Sequence, residues 1–556
     1  MKTRKKDTEL LVSPTNSGKF ILLFIISLYT GGCMEKADLA LVNGRIYTVD
    51  EGFSIKEGLV ARDGKIIFTG TTEDIKREFK ITETIDLKGK PVYPGFIDAH
   101  CHFLGYGLSL AQARLTGTRS FGEVLEILKD HDSKFQPEWL TGRGWDQNDW
   151  PEKTFPDKDK LDDLFSDIPV LITRVDGHAA LANSKALEIA GITASTRIEG
   201  GEILLNNGEP SGILIDNAIS LVSEHVPLPG KNEKIKALKE AQKNCLKVGL
   251  TSLGDAGLDL EDIQLIDSLQ KANELDIRIY AMVNPTTENF EAYVYQGIYK
   301  TDRLNVRSIK LFADGALGSR GALLLEPYSD SPDKHGLQIK PAGYYEDMCR
   351  KALQHGYQVN THCIGDSATR LILDIYGSFL GKKNDRRWRI EHAQVIHPDD
   401  LHKFSKYSVI PSIQAIHATS DMYWAPARLG KRIKHAYVFQ DLLQQNGWIP
   451  NGSDFPIENI NPLLGFYAAV TRTDLKGYPD GRFQPENSLN REQALRAMTI
   501  WAARSFFEEN EKGSLETGKH ADFVITNEDL MEIEPSFIPR IKILHTFIAG
   551  KEVIKP

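Results

Sequence analysis

Cysteine is scarce: the 556 residues hold five, at positions 33, 101, 245, 349 and 363, with no framework spacing. That excludes a small disulfide-stapled scaffold, and beyond Cys33 the thiols are expected to be buried as small hydrophobes. A basic excess is also missing, because 76 acids outweigh 67 bases for a net charge of -9. A nucleic-acid surface needs a concentrated positive face, so the balance argues against nucleic acid as a partner. Long apolar runs are absent apart from one near the start, and no fixed-period repeat appears, which sets aside a many-pass membrane protein and a solenoid. What remains is ordinary globular composition, 41% hydrophobic and 26% charged. The length suits roughly three to four domains of about 150 residues, or one large barrel with additions.

The one apolar run is Phe20 to Leu28, preceded by Lys2, Arg4, Lys5, Lys6 and Lys19. Thirteen residues separate Lys19 from Cys33, too few to span a bilayer and suited to the apolar region of an export signal. Thr30-Gly31-Gly32 before Cys33 resembles a bacterial lipobox, although Thr30 stands where a branched aliphatic residue is usual. The expectation for 1–33 is therefore a lipoprotein-type signal with lipidation at Cys33. The protein would be exported to the bacterial cell envelope and held on a membrane; the alternative is an uncleaved anchor helix.

Residues 37–92 alternate short β-type runs with turns, among them Asn43-Gly44 and Asp63-Gly64, which are strong hairpin signals. Residues 510–556 repeat that texture, so the two ends are expected to pair in a composite β-sandwich. Between them, 93–509 carries β-type runs separated by helical stretches, the pattern of a parallel barrel. The runs are "PGFIDAHCH", "GLTSLGDAG", "IRIYAMV", "SIKLFADGA", "YQVNTHCIG", "WRIEHAQV", "YSVIPSIQAIH" and "GWIPNGSDFP". The fold class expected is α/β, a (β/α)8 TIM-like barrel. The stretch 116–226 after the first run is too long for a loop and is expected to be an inserted lid subdomain.

His100 and His102 lie two apart at the end of the first run, so on a strand both imidazoles face the lumen and can grip one cation. His362 ends the fifth run, His392 the sixth and Asp454 the eighth, at the edge where barrel enzymes assemble their sites. Lys310 shares a face with Ser308 and Phe312 on the fourth. Each residue alone has a bland reading, a satisfied barrel histidine or a rim aspartate; the set at successive strand ends does not. Asp98, two before His100, is read either as orienting a ligand or as a rim hydrogen bond. Trp145, His178 and Arg320, in "GRGWDQNDW", "RVDGHAALANS" and "DGALGSRG", are candidates for touching substrate, with packing as the alternative.

Together "PGFIDAHCH", "IKLFADGALGSRG", "THCIGD", "RIEHAQV", "NGSDFPI" and "LETGKHADFVI" resemble the amidohydrolase superfamily, in its amidohydrolase 3 branch that includes N-substituted formamide deformylases. The resemblance implies one or two divalent metals, commonly zinc. His100, His102 and Asp454 would hold the first, His362 and His392 the second, and Lys310, carboxylated by CO2, would bridge a binuclear pair. It further implies a metal-activated hydroxide attacking a carbonyl carbon, with Asp454 as the catalytic proton carrier. The expected activity is hydrolysis of a non-peptide C–N bond in a small-molecule amide or formamide. The alternatives are a deaminase, an ester or cyclic-amide hydrolase, or an exported metal- or solute-binding protein without turnover. The oligomeric state has no sequence signal.

Overall fold

The computed structural model describes residues 34–555 except 175, 176, 178, 199 and 200. The lipidation candidate Cys33 and the substrate candidate His178 lie outside the described residues.

The centre is a parallel sheet curled into a nearly closed barrel. Its strands are β1 (Phe96–Cys101), β2 (Leu250–Leu258), β3 (Arg278–Val283), β4 (Leu304–Phe312), β5 (Gln358–Cys363), β6 (Arg389–His392) and β7 (Ile410–Ser412), each paired with the next in chain order. These strands read as near-continuous apolar runs because helices cover them outside and packed side chains fill them inside. Every residue of β1, β3 and β6 is buried. The covering helices show the matching three-to-four spacing. In α1 (Lys231–Lys247), Ala237, Leu238, Ala241 and Cys245 are buried. In α2 (Ala342–His355), Tyr345, Met348, Cys349 and Ala352 are, and the helix stops on Gly356 at φ 74°, a left-handed position that favours glycine.

The eighth expected strand does not form as one. The segment 450–455 fills its place through single hydrogen bonds on both sides. Towards β1, Ala99 N donates to Asn451 O at 3.2 Å, Asp454 N to His100 O at 2.8 Å and His102 N to Phe455 O at 2.8 Å. Towards β7, Ile413 N donates to Pro450 O at 3.0 Å and Gly452 N to Ile413 O at 2.9 Å. Asp454 at φ 62° breaks the extension. Gly452 permits the approach, because a Cβ there would lie 2.5 Å from His100 N and 2.8 Å from Asp98 Oδ1. The seventh expected run is also corrected. Only Ile410–Ser412 is strand, and the chain then turns into α3 (Ala415–Asp421), which carries the end of that run.

The chain ends share a sheet. Pro91–Pro94 pairs antiparallel with Phe523–Thr526. It faces a four-stranded sheet built from residues 35–86, with Leu41, Leu59, Ile66, Phe523 and Phe547 buried between the two. Arg278 on β3 reaches Asp522 with two bonds of 2.6 and 3.1 Å, a buried forked pair that fastens barrel to sandwich. Between β1 and β2 the chain builds a separate six-stranded sheet from Ala113–Arg114 to Glu209–Asp216. The cysteines at 101, 245, 349 and 363 are free and buried.

Candidate metal centre

The carboxyl end of the barrel brings five imidazoles and one carboxylate together: four rings from the ends of β1, β5 and β6, His417 from α3 and Asp454 from the segment 450–455. His100, fully buried on β1, has Nδ1 2.5 Å from Glu391 Oε2. A carboxylate can only accept there, so Nδ1 carries the proton and Nε2 keeps its lone pair. His102 Nδ1 donates to Ala256 O at 2.9 Å, which frees its Nε2 in the same way. His392 Nδ1 lies 2.8 Å from Gln414 Oε1. Three of the rings are thus held by their outer nitrogens.

The inner nitrogens meet Asp454. Its Oδ1 is 3.2 Å from His102 Nε2 and 3.6 Å from His100 Nε2, and its Oδ2 is 3.9 Å from His417 Nε2. A lone pair facing a carboxylate oxygen at such distances is repulsive unless a cation lies between them. His362 Nε2, His417 Nε2 and Asp454 Oδ1 are moreover buried without a hydrogen-bond partner, an arrangement that costs about 1–3 kcal/mol per group if nothing satisfies it. Neutral imidazole with carboxylate suits zinc and its neighbours in the transition series. Among the described residues two groups qualify as cation sites, His100 with His102 and Asp454, and His392 with His417 and Asp454; within each, the donor atoms lie within 4.8 Å of one another. Asp454 belongs to both.

The electrostatics keep this set ready for a cation. Burial, reinforced by nearby Lys310, lowers His100 to about 4 and His362 to about 3. Burial and the neighbouring His362 ring lower His392 well below its usual value. For Asp454, burial pushes upward, but the neighbouring imidazoles, His102 foremost, outweigh it and hold its carboxyl well below the usual carboxylate range. Lys310 lies in the lumen as its strand parity requires, its Nζ 3.1 Å from His100 Nε2, and burial lowers its amine to about 8 against the pull of Glu391 and Asp454. His362 sits beside His392, ring centroids 4.4 Å apart.

A supporting layer fixes the geometry. Glu391 is held 2.5 Å from Arg389 Nε, and the Arg389 Nη2 also donates to Ala99 O at 2.8 Å and Ser412 Oγ at 3.0 Å, all in the closed interior. Asp98 accepts from His100 N at 3.0 Å and from Ser453 N and Oγ at 3.0 and 2.6 Å, tying β1 to the segment that delivers Asp454. Asp314 accepts three backbone N–H bonds, from Leu323, Ile364 and Gly365, and its Oδ1 lies 3.7 Å from His362 Nε2. His392 at φ 72° and Asp454 at φ 62° both hold left-handed backbone, a conformation that costs a side-chain-bearing residue about 1–2 kcal/mol.

All of His100, His102, Lys310, His362, His392 and Asp454 therefore stand at one end of the barrel. Of the substrate candidates, Trp145 does not join them. Trp145 is fully enclosed in the inserted sheet, stacked 5.9 Å from Trp150 with its Nε1 donating to Ile172 O at 3.0 Å; it is a packing residue and offers no surface here. Arg320 is forked onto Asp330 at 3.1 and 2.8 Å. Reading the sequence missed His417, Glu391, Arg389 and Asp314. The first was visible as the histidine closing "YSVIPSIQAIH", and the pair Glu391 and Arg389 as two charges alternating within the apolar "WRIEHAQV".

A family model described as "Amidohydrolase family" matches residues 83–554. An Arabidopsis thaliana protein, LONG AFTER FAR-RED 3, is 33% identical over 537 residues, covering 93% of this chain and 91% of its own. The N-substituted formamide deformylase of Arthrobacter pascens is 24% identical, covering 93% and 98%. Among solved structures, a metal-dependent hydrolase from Pyrococcus furiosus aligns with a TM-score of 0.76 and 28% identity, over 89% of this chain and 100% of its own.

Proposed function

Since the chain belongs to the amidohydrolase family, we propose that it hydrolyses a non-peptide C–N bond in a small-molecule amide or formamide at a cation site built on Asp454. The observation that carries this reading is the carboxylate of Asp454, shared by two histidine groups and left with a buried, unpartnered Oδ1. The similarity to a formamide deformylase favours the amide bond over an exocyclic amine or an ester.

His100, His102 and Asp454 would hold one divalent cation. His392 and His417 with Asp454, and His362 alongside, would hold a second. A bound cation of this kind lowers the pKa of its water to about 7 and polarises a carbonyl oxygen. The chain supplies the rest. Asp454 takes the proton of the attacking water on a carboxylate oxygen and passes it to the departing nitrogen, so the amine leaves neutral. Glu391 keeps the His100 proton on Nδ1, and Arg389 keeps Glu391 ionised, so His100 can present only its lone pair inward.

A finer assignment concerns Lys310. Its neutral amine adds to the carbon of CO2, an N–C bond forms, one proton leaves, and the resulting carbamate offers two oxygens between the two histidine groups. Its support is position: a fully buried lysine whose Nζ lies 3.1 Å from His100 Nε2. Labelling with 13C-bicarbonate gives a carbamate carbon resonance if this is right and none if Lys310 stays an amine. The envelope location also remains a proposal, supported by the basic leader and the small residues before Cys33. Intact mass of the mature N-terminus tests it, and an unmodified Cys33 overturns it.

The experiment for the main reading is metal analysis joined to a hydrolysis screen of N-acyl and N-formyl amines, with Asp454→Asn as control. Amine release by the metal-loaded wild type and not by the variant supports it. Ammonia release from exocyclic amines, or ester cleavage alone, selects another chemistry for the same site.

A further inference from the structure

Phe312 ends β4, and its surroundings differ from those of the residues before it on the inward face of that strand. Ser308 and Lys310 are closed off there, at 0% and 1% exposed, whereas Phe312 is 42% exposed. On the outward face Ile309, Leu311 and Ala313 are all buried. Side chains two apart on a strand share a direction, so the opening lies on the inward face, at the rim of the barrel.

The ring touches the metal centre itself. Its centroid lies 5.5 Å from that of His362, whose own ring is 4.4 Å from His392. Lys310 Nζ lies 5.0 Å from the Phe312 centroid and 3.1 Å from His100 Nε2. These are side-chain contacts within one lumen, with no strand or helix between the ring and the imidazoles. The backbone that carries the ring is pinned on both sides: Ala313 N donates to His362 O at 2.9 Å, and Tyr345 OH on α2 donates to Phe312 O at 2.9 Å. Phe135, Phe155 and Phe537 are exposed too, but their ring partners are His131, Trp145 and Arg540, none of them a residue of the mouth. An apolar ring on a fixed strand end, left uncovered beside converging polar groups, is the composition of a ligand pocket.

The barrel also fixes which end of a substrate meets the ring. With the segment 450–455 in the eighth position, β4 stands four places from it round the barrel, across the lumen from Asp454. Asp454 passes its proton to the departing nitrogen, so that nitrogen faces 450–455. At the planar carbon of an amide the bonds to nitrogen and to the acyl substituent point apart, which directs the acyl substituent towards β4.

We propose that Phe312 is the specificity residue for the acyl half of the substrate, its open face packing against an apolar, planar substituent of the scissile carbonyl. The proposal rests on the amide-hydrolase reading above and narrows it, since a formyl group would leave the ring uncovered.

The test compares N-methyl-2-phenylacetamide, with a ring on the acyl side, N-benzylacetamide, with a ring on the amine side, and N-methylacetamide, with neither. Zinc-loaded wild type, Phe312→Ala and Phe537→Ala are assayed for turnover, for zinc retained per chain and for binding of the three compounds by saturation-transfer NMR. The wild type is expected to favour N-methyl-2-phenylacetamide over N-methylacetamide by about tenfold or more in kcat/KM. Phe312→Ala is expected to lose most of that ratio while keeping its zinc and its turnover of N-methylacetamide. Phe537→Ala, trimmed at a ring that is 46% exposed, keeps the ratio. A preference for N-benzylacetamide instead, no preference, or a ratio untouched in Phe312→Ala overturns the proposal and leaves the hydrolase reading standing. So does loss of zinc or of N-methylacetamide turnover in Phe312→Ala, which would make the ring a prop for His362. N-methyl-2-phenylacetamide that binds the wild type but not Phe312→Ala, with no turnover of any amide, keeps the role of the ring and overturns the amide chemistry. Equal binding to both proteins, or to neither, with no turnover, overturns both.

Discussion

The barrel mouth and the core of the inserted sheet both bury rings with a polar edge, and they settle that edge in opposite ways. In the inserted sheet Trp145 Nε1 donates to Ile172 O at 3.0 Å and Trp150 Nε1 to Thr118 O at 3.1 Å, so both ring N–H groups are satisfied. At the mouth His362 Nε2, His417 Nε2 and Asp454 Oδ1 are buried with nothing to bond. A core that carries only stability closes its polar accounts internally. Open lone pairs converging from several strand ends mark a place that something charged completes.

Breaking the mouth has the largest expected effect. Asp454→Asn removes the proton carrier with almost no change in volume, and kcat falls by about 10² to 10⁴, more where cation binding is weakened too. The fold survives, so circular dichroism matches the wild type; undiminished turnover by the folded variant contradicts the role. Next comes the support beneath His100. Glu391→Gln leaves Arg389 buried without its ion-pair partner and destabilises the metal-free protein by about 3–5 kcal/mol, read in a denaturant titration.

Trp145→Ala sharpens the contrast from the other side. The cavity it leaves costs about 3–5 kcal/mol, while the metal bound per folded chain stays at the wild-type value. A fall in metal content in that variant would show that the two regions are not independent. His417→Ala should weaken metal binding by about 10- to 100-fold, a range met even for partners one bond removed from the ion. Equilibrium titration against a chelator measures it.

How much of this was legible in the sequence follows from periodicity. The alternation of a strand places Asp98, His100 and His102 on one face, and the parity of β4 sends Lys310 inward, where its Cα partner is Asn360 and that of Phe312 is His362. Those placements need only a period of two. His417 was hidden because β7 stops after three residues and the histidine rides a helix. The place of the eighth strand was legible but not its form, since Gly452 and the left-handed Asp454 replace ladder pairing with single bonds. Trp145 stayed open between packing and recognition because an aromatic residue in a polar stretch has the same local signature in either role. Arg320 gave no hint in sequence that Asp330 would hold its guanidinium.

The last effect concerns protons. An ordinary histidine near 6.5 is mostly charged at pH 5.5, yet His100, at about 4, and His362, at about 3, stay neutral there in the metal-free protein. The unfolded chain takes up protons at these two positions as pH falls from about 6.5 to about 4, and the folded chain does not. Their contribution is therefore a loss of stability on acidification through that window. Nitrogen-15 NMR of the two rings gives midpoints near 4 and 3 on this account, and midpoints near 6.5 would show that the mouth is open to water.

The central claim is that the histidines and Asp454 form a divalent-cation site, and the most direct measurement is the zinc retained per chain after equilibrium dialysis. The account predicts at least one zinc per wild-type chain and almost none in His100→Ala/His102→Ala/Asp454→Ala, with both proteins folded. Zinc at background in the wild type, or equal retention by the triple variant, would contradict it.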